Sequence, residues 1–422
     1  MAALRIQEWR SLPVPLAELC INTTLRCGQS FRWRKAEDET WSIALHGRIL
    51  SLRQDPTHLH YRALSPTRRL PQASLALPTP PSSTISSHAE DERGGEGGGG
   101  GDDTHDLVCH YLNLSPDLTR LYKQWSAADP NFARRAPAFT GIRVLQQDAW
   151  EALVGFICSS NNNIIRISQM IHKLCVEYGP LIGELDGLPY HDFPAPGTLA
   201  QDGVEARLRA LGFGYRAKYL AQTARMLLEK GDAWLDSLRN PERPVLGVKA
   251  GDGGDWREEG REGYRRAHDE LLALQGVGPK VADCVCLMGL GWGEAVPVDT
   301  HVWQIAQRDY RFGRGKHSSL TKATYDAVGN KFRSLWGKEA GWAHSVLFTA
   351  DLRAFSQRLV TKTEVKEESL IKVEEDAIAG AVTKEEVTLE KTIKRELEGQ
   401  DERKLIEIKA NVVRKTKRRR KA

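Results

Sequence analysis

Leu274-Gln275-Gly276-Val277-Gly278-Pro279-Lys280, followed at a short interval by Pro297-Val298-Asp299-Thr300-His301, decides how the rest of the chain is read. Leu271, Leu272 and Leu274 end an amphipathic helix. Gly276 and Gly278 permit positive φ and let a phosphate approach the backbone. Pro279 suits the first turn of the next helix, where its missing N–H costs little. The free N–H groups of that turn, with the helix dipole, make an anion site. The segment predicts a helix–hairpin–helix able to hold a DNA phosphate. On the turn alone, an ordinary αα-hairpin with glycine at its bend is an equal reading.

Lys280 falls in the first turn of the second helix. The positive end of the dipole disfavours an ammonium there and favours the free amine that a lysine nucleophile needs. Cys284 lies four residues on, on the same face, and Met288 continues that face. Core packing also accounts for both, and for Met288 it is the preferred reading. Asp299 precedes Thr300–Gln307, which reads as helical, and so reads as an N-cap. It also reads as a carboxylate that stabilises positive charge developing on a sugar. The two roles are compatible, because a cap fixes the carboxylate in place.

Outward from this centre, 422 residues allow two or three domains, and a net charge of +5 permits nucleic-acid binding without requiring it. Apolar residues alternate at Phe31, Trp33, Trp41, Ile43, Leu45, Leu50, Leu52, Leu59 and Tyr61, with a turn at His46-Gly47-Arg48, which predicts antiparallel strands. Residues 71–105, rich in Pro, Ser and Gly, read as a disordered insertion, or nearly as well as an interdomain linker. A helical pattern resumes over 107–121. Helices are expected at 148–159, 163–178, 197–211, 216–230, 264–274, 280–290, 299–308, 319–335 and 339–354, with a surface insertion at 241–262. The chain is thus expected to be α+β: an N-terminal antiparallel sheet domain with helices over 1–136, an all-helical domain over 137–356, and a disordered charged tail over 357–422. The tail ends in Arg414-Lys415-Thr416-Lys417-Arg418-Arg419-Arg420-Lys421, which reads as a nuclear localisation signal or a DNA tether. No apolar run has the length of a membrane span, so no membrane partner is expected. Seven scattered cysteines and no secretory opening predict reduced thiols in an intracellular protein, and an N-terminus that is not rich in arginine and carries Glu8 is not expected to be a transit peptide. No CxxC pair or HExxH motif appears, so no metal site and no redox or organic cofactor is expected. A cation held between the hairpin carbonyls and a phosphate is left open.

Gly276-Val277-Gly278-Pro279-Lys280 with Asp299 resembles the helix–hairpin–helix DNA glycosylases that carry a catalytic lysine. The stretch Lys280 to Met288, Val296-Pro297-Val298-Asp299, Gln304 to Tyr310 and Phe156 to Asn163 closely resemble the eukaryotic 8-oxoguanine DNA glycosylases. Gly28-Gln29-Ser30-Phe31-Arg32-Trp33, Leu211 to Arg216 and Gly341-Trp342-Ala343 do so too. The resemblance runs from about residue 15 to 355, outside the two insertions. It implies a bifunctional enzyme that flips 8-oxoguanine out of damaged double-stranded DNA, opposite cytosine, and acts as a monomer. Lys280 would attack the sugar C1′ and form a Schiff base, with Asp299 stabilising the cationic sugar; β-elimination would follow. Gly28 would accept the N7–H that distinguishes the lesion from guanine, and Cys284 and Phe348 would sandwich the base. Asn161, Arg166, Tyr215 and Arg216 would fill the vacated stack and read the orphaned cytosine. Gly276, Gly278, Val281 and His301 would meet phosphates.

One position departs from the family. After Gly341-Trp342-Ala343 the family carries glutamine, which bonds the Watson–Crick edge of the base; this chain has His344. A neutral imidazole offers one donor and one acceptor, so ring-opened purines enter the expected substrate range. Two rival readings remain. One is a glycosylase-lyase for oxidised pyrimidines, against which the missing iron–sulfur cysteines argue. The other is a non-catalytic hairpin DNA binder, against which the joint presence of Lys280 and Asp299 argues.

Overall fold

The computed structural model describes residues 4–66, 102–313 and 319–355. Most of the expected insertion at 71–105, and the charged tail with its basic run, lie outside the described residues.

Six strands form one antiparallel sheet: β1 (Leu4–Ile6), β2 (Arg10–Pro13), β3 (Arg34–Lys35), β4 (Trp41–Leu45), β5 (Arg48–Gln54) and β6 (His58–Pro66). The order is β1-β6-β5-β4-β3, and β2 also pairs with the long β6. The β4–β5 hairpin turns at His46 and Gly47, both at positive φ, as a two-residue turn requires. The alternating residues of the sequence then share one face: Trp41, Ile43, Leu45, Leu50, Leu52, Leu59 and Tyr61 are buried together with Leu107, Val108 and Tyr111 of helix Thr104–Tyr111. The opposite face is covered as well. Ala44, Ile49 and Leu64 pack against Ile182 and Tyr190 of a small hairpin, β7 (Leu181–Leu185) and β8 (Leu188–His191).

Three local expectations differ. Phe31 and Trp33 lie outside any strand: Phe31 packs edge-on against Phe156 (5.8 Å), and the Trp33 indole donates to the Tyr111 hydroxyl (3.1 Å). The helix expected over 107–121 breaks at Asn113 (φ 52°) before Pro116, and a second helix, Leu118–Ala128, starts on the Asp117 cap. The helix expected over 197–211 is interrupted at Gly203 (φ 79°) and becomes Pro196–Leu199 and Val204–Ala210.

Apart from the short helices Ile21–Thr24, Pro130–Arg135 and Trp234–Ser237, the remaining helices are Ala149–Ser159, Ile164–Tyr178, Arg216–Lys230, Glu262–Leu272, Pro279–Met288, Thr300–Tyr310, Lys322–Trp336 and Ala340–Asp351, close to the pattern read from sequence. Ala149–Ser159 and Pro279–Met288 are buried almost throughout. A buried ion pair between Arg32 Nε and Glu151 Oε1 (2.8 Å) ties the segment that leads into β3 to the first of them. The segment expected as a surface insertion at 241–262 is mostly exposed but pinned at its end. Arg261, 1% exposed, pairs with fully buried Glu294 (2.8 Å), on the loop that leads to Asp299. The last helix crosses that loop with no room to spare. A Cβ on Gly341 would lie 2.0 Å from the Ala295 carbonyl, and the Gly341 N–H donates to Gly293 (2.8 Å). This close approach sets Ala340–Asp351 beside Asp299.

Candidate active site on the helix–hairpin–helix

The hairpin joins Glu262–Leu272 to Pro279–Met288 and rests on helix Arg216–Lys230. Thr223 Oγ1 donates to the Gln275 carbonyl (2.9 Å). Gly276 has φ 76°, and a Cβ there would meet the Tyr219 ring at 2.6 Å, so both its conformation and its space require glycine. Gly278 differs from expectation: at φ −104°, ψ 178° it is ordinary extended backbone. A Cβ there would meet nothing within 4 Å, so Gly278 borders open space on the outer side of the turn. Pro279 occupies the first turn and Val281 is buried behind it.

Lys280 is half-buried, and its Nζ donates to Ser159 Oγ (3.0 Å) while lying 5.2 Å from the Phe156 ring. Ser159 in turn donates to the Phe156 carbonyl (2.7 Å), which aims an oxygen lone pair at the lysine. Asp299 caps its helix as expected, with Oδ1 accepting from the Val302 N–H (2.9 Å). Cys284 feels both charges. Burial pushes its thiol up to about 12, the Lys280 ammonium opposes the rise and Asp299 adds to it, so the sulfur stays protonated at neutral pH.

His344 is 4% exposed and flanked by Phe332 and Phe348, each with its ring centroid 6.3 Å away. Neither ring nitrogen has a hydrogen-bond partner. The Gly341 carbonyl one turn back accepts from Ser345 Oγ (2.8 Å) and also favours the protonated imidazole. Burial pushes the imidazole down to about 4, with the Asp299 charge and the Gly341 carbonyl opposing, so it is neutral at physiological pH. Phe348 is half-buried and meets the exposed His301 edge-on at 6.2 Å. Lys280, Cys284, Asp299, His344, Phe348 and His301 therefore gather at one place. Met288 is buried two turns beyond Lys280, where its carbonyl takes the Gln147 N–H (2.9 Å). Among the described residues no hydrogen bond or ring contact joins its side chain to the others.

Gly28 has φ 88° and abuts Ile164, whose Cδ1 would lie 3.1 Å from an added Cβ. Its neighbour Gln29 locks the loop. Gln29 Nε2 donates to the Arg143 carbonyl (2.7 Å), Oε1 accepts from the Leu145 N–H (2.9 Å), and its carbonyl accepts from Gln147 Nε2 (2.9 Å). Because Gln147 also bonds Met288, the Gly28 loop is tied to the far end of the lysine helix.

A second group surrounds the Ser160–Asn161 turn. Asn161 is exposed at φ 48°, unusual for a residue with a side chain. The Tyr215 hydroxyl donates to the Ser160 carbonyl (3.1 Å). Arg216, buried, donates to the carbonyls of Ser160 and Asn161 (3.1 Å to the latter) and lies 4.5 Å from the Tyr215 ring. Arg166 is exposed one turn into helix Ile164–Tyr178, whose Asn163 cap accepts its N–H (2.9 Å). Sequence reasoning missed Ser159, which stands inside a motif already singled out, and Ile165. At 74% exposure beside Arg166, Ile165 is an apolar side chain left in solvent.

Residues 11–153 match the family described as 8-oxoguanine DNA glycosylase, N-terminal domain, and residues 154–331 match the HhH-GPD superfamily base excision DNA repair proteins. The N-glycosylase/DNA lyase of Saccharomyces cerevisiae is 34% identical over 84% of this chain and 89% of its own length. The N-glycosylase/DNA lyase OGG1 of Arabidopsis thaliana is 34% identical over 82% of this chain and 81% of its own. A solved structure of MBOgg1 in complex with a low-affinity DNA ligand covers 83% of this chain and 98% of its own, at 23% identity and a TM-score of 0.60, and so shares the fold. With two relatives of that identity aligned along most of its length, and with Lys280 and Asp299 both acting on Cys284 of the hairpin helix, the chain belongs to the N-glycosylase/DNA lyase family of helix–hairpin–helix base-excision repair proteins.

Proposed function

We propose that this protein excises 8-oxoguanine opposite cytosine from duplex DNA and then cleaves the strand, through a Schiff base on Lys280. The observation that carries the reading is the meeting of Lys280 Nζ, the Asp299 carboxylate, a buried protonated thiol and an unpartnered buried imidazole on the hairpin helix and its neighbours. The names of the two 34%-identical relatives support it.

The hairpin amides around Gly276, Gly278 and Val281, with His301, would hold phosphates of the lesion strand. The target nucleotide turns out of the stack, because its C1′ is otherwise out of reach. Arg216 and Tyr215, with Asn161 and Arg166, would occupy the gap and meet the orphaned cytosine. The base would enter between Cys284 and Phe348, with its N7–H on the Gly28 carbonyl and its Watson–Crick edge on His344. Normal guanine would leave that carbonyl facing a lone pair. Once Lys280 has given up its proton, its lone pair attacks C1′. The C1′–N9 bond breaks, and its electrons leave with the base, which takes up a proton. Asp299 offsets the positive charge on the sugar, and the amine–sugar adduct collapses to a Schiff base from which the 3′ phosphate is eliminated. No residue in this sequence of steps calls for a cofactor. Nuclear location is part of the same proposal and rests on the terminal basic run.

Borohydride trapping on an 8-oxoguanine:cytosine duplex tests the chemistry: wild type is expected to give a covalent adduct, and Lys280→Gln none. An adduct from Lys280→Gln would refute the assignment. His344 is tested by ratios of kcat/KM for 8-oxoguanine against a ring-opened purine. His344→Gln is expected to shift them towards 8-oxoguanine, and unchanged ratios would mean that His344 does not read the base.

A further inference from the structure

The reaction requires Lys280 and Asp299 at a fixed separation, yet they come from different elements. One stands in helix Pro279–Met288, the other at the end of the loop that follows it. One turn beyond Lys280, Asp283 is a carboxylate 1% exposed, for which the steps above have no use. Its Oδ1 accepts from the Tyr264 hydroxyl (2.6 Å), and its Oδ2 accepts from the Tyr325 hydroxyl (2.5 Å). His268 Nε2 lies 3.9 Å from Oδ1. The Tyr325 oxygen also accepts the N–H of Val298 (3.3 Å), the residue just before Asp299. One hydroxyl thus joins the lysine helix to the aspartate loop.

We infer that Asp283 and Tyr325 are a positioning pair that sets the distance between Lys280 and Asp299; the inference rests on reading those two as the reacting pair. A buried carboxylate is an expensive way to fasten helix Lys322–Trp336, since apolar packing would do so without desolvating a charge. Burial raises the Asp283 carboxyl above the usual range, and the charge of His268 and the two phenol donors oppose the rise. Those donors keep the acceptor fixed, and Tyr325, its one proton engaged with Asp283, presents a lone pair to Val298. Tyr264 bonds Asp283 from the hairpin's first helix, and among the described residues no hydrogen bond joins its hydroxyl to the aspartate loop. Asp299 is then held from both sides, by Tyr325 through the preceding residue and by its own cap on Val302.

The test uses the full chain in single-turnover excision of 8-oxoguanine opposite cytosine, with Kd for an uncleavable lesion duplex and Tm measured alongside. Tyr325→Phe keeps the ring and removes the bridge. Its excision rate is expected to fall about tenfold with Kd unchanged, the mark of a small misplacement at the reacting atoms. Asp283→Asn, a second variant in case the first folds poorly, is expected to move the rate in the same direction. Tyr264→Phe is expected to change it less than about twofold. A Tyr325→Phe protein with a lowered Tm and a wild-type rate would overturn the proposal and leave the bridge a purely structural tie. Lys280→Gln and Asp299→Asn separate the two readings. If they excise normally, the reacting pair is misassigned and the inference falls with it. If they fail while Tyr325→Phe matches wild type, only the positioning role is lost.

Discussion

Arg143 and His344 are both buried polar side chains, and their surroundings are opposite. Arg143, 1% exposed at the junction of sheet and helices, donates through Nε to the Glu18 carbonyl (2.6 Å), through one terminal nitrogen to the Asn113 carbonyl (2.6 Å) and through the other to Glu18 Oε2 (2.7 Å). Arg32 is saturated in the same way by Glu151 and the Ala44 carbonyl. His344, equally buried, has no partner at either nitrogen. Leaving a buried polar group unpaired costs about 1–3 kcal/mol, so a fold that satisfies its junction arginines and leaves its pocket imidazole bare holds that imidazole ready for a ligand. The junction supplies rigidity, and the pocket supplies unmet hydrogen bonds.

The contrast can be broken on either side. In the pocket, Asp299→Asn keeps the helix cap but removes the charge; single-turnover excision is expected to slow by about 10²–10³-fold with little change in duplex affinity. At the junction, Glu151→Gln removes the nearer of the two carboxylates that pair with Arg32, leaving Asp192 at 3.6 Å, and is expected to cost about 3 kcal/mol in denaturant unfolding. Excision at a temperature where the variant stays folded should be unaffected.

The imidazole gives a sharper, pH-dependent test. An unfolded histidine takes up a proton near 6.5, whereas the buried His344 refuses one until about 4. The unfolded state therefore binds more protons in that window, and stability falls as pH drops from 6.5 towards 4, by about 3 kcal/mol from this residue. His344→Gln should flatten the stability–pH curve there by a comparable amount. The wild-type slope would persist in the variant only if His110 and His172, also pushed down to about 4 by burial, carried all of it. The smallest expected effect is at the hairpin. Gly276→Ala, strained by its φ and crowded by Tyr219, should lose about 2 kcal/mol of stability. Gly278→Ala, extended and unobstructed, should keep its stability and lose affinity for duplex DNA, as a direct titration would measure.

The helix start at Pro279 and the cap at Asp299 were legible because each is a local signal, a glycine turn opening a helix and an aspartate before one. The sheet face was legible from alternation at Trp41 to Tyr61. Partners from distant sequence were not: Ser159 and Lys280 are 121 residues apart, and the clamp of Gln29 on Arg143 spans 114. Nothing in a lone glycine announces that Gly28 is fixed by such a clamp. β1 and β2 escaped notice because they are short and mostly exposed, with no alternation to read. The β7–β8 hairpin was readable in principle from Asp186-Gly187, both at positive φ, but its strands of five and four residues give little pattern. The same locality explains why Gly278 was misjudged: a glycine is recognisable in sequence, whereas its φ depends on what the turn rests against.

The central claim is that one amine does the chemistry. The most direct measurement is to trap the protein with borohydride on 8-oxoguanine:cytosine duplex, digest it and locate the sugar-bearing peptide by mass spectrometry. A single modified residue is expected, Lys280, between Gly278 and Val281. Modification at any other lysine, or at the N-terminal amine, would contradict it.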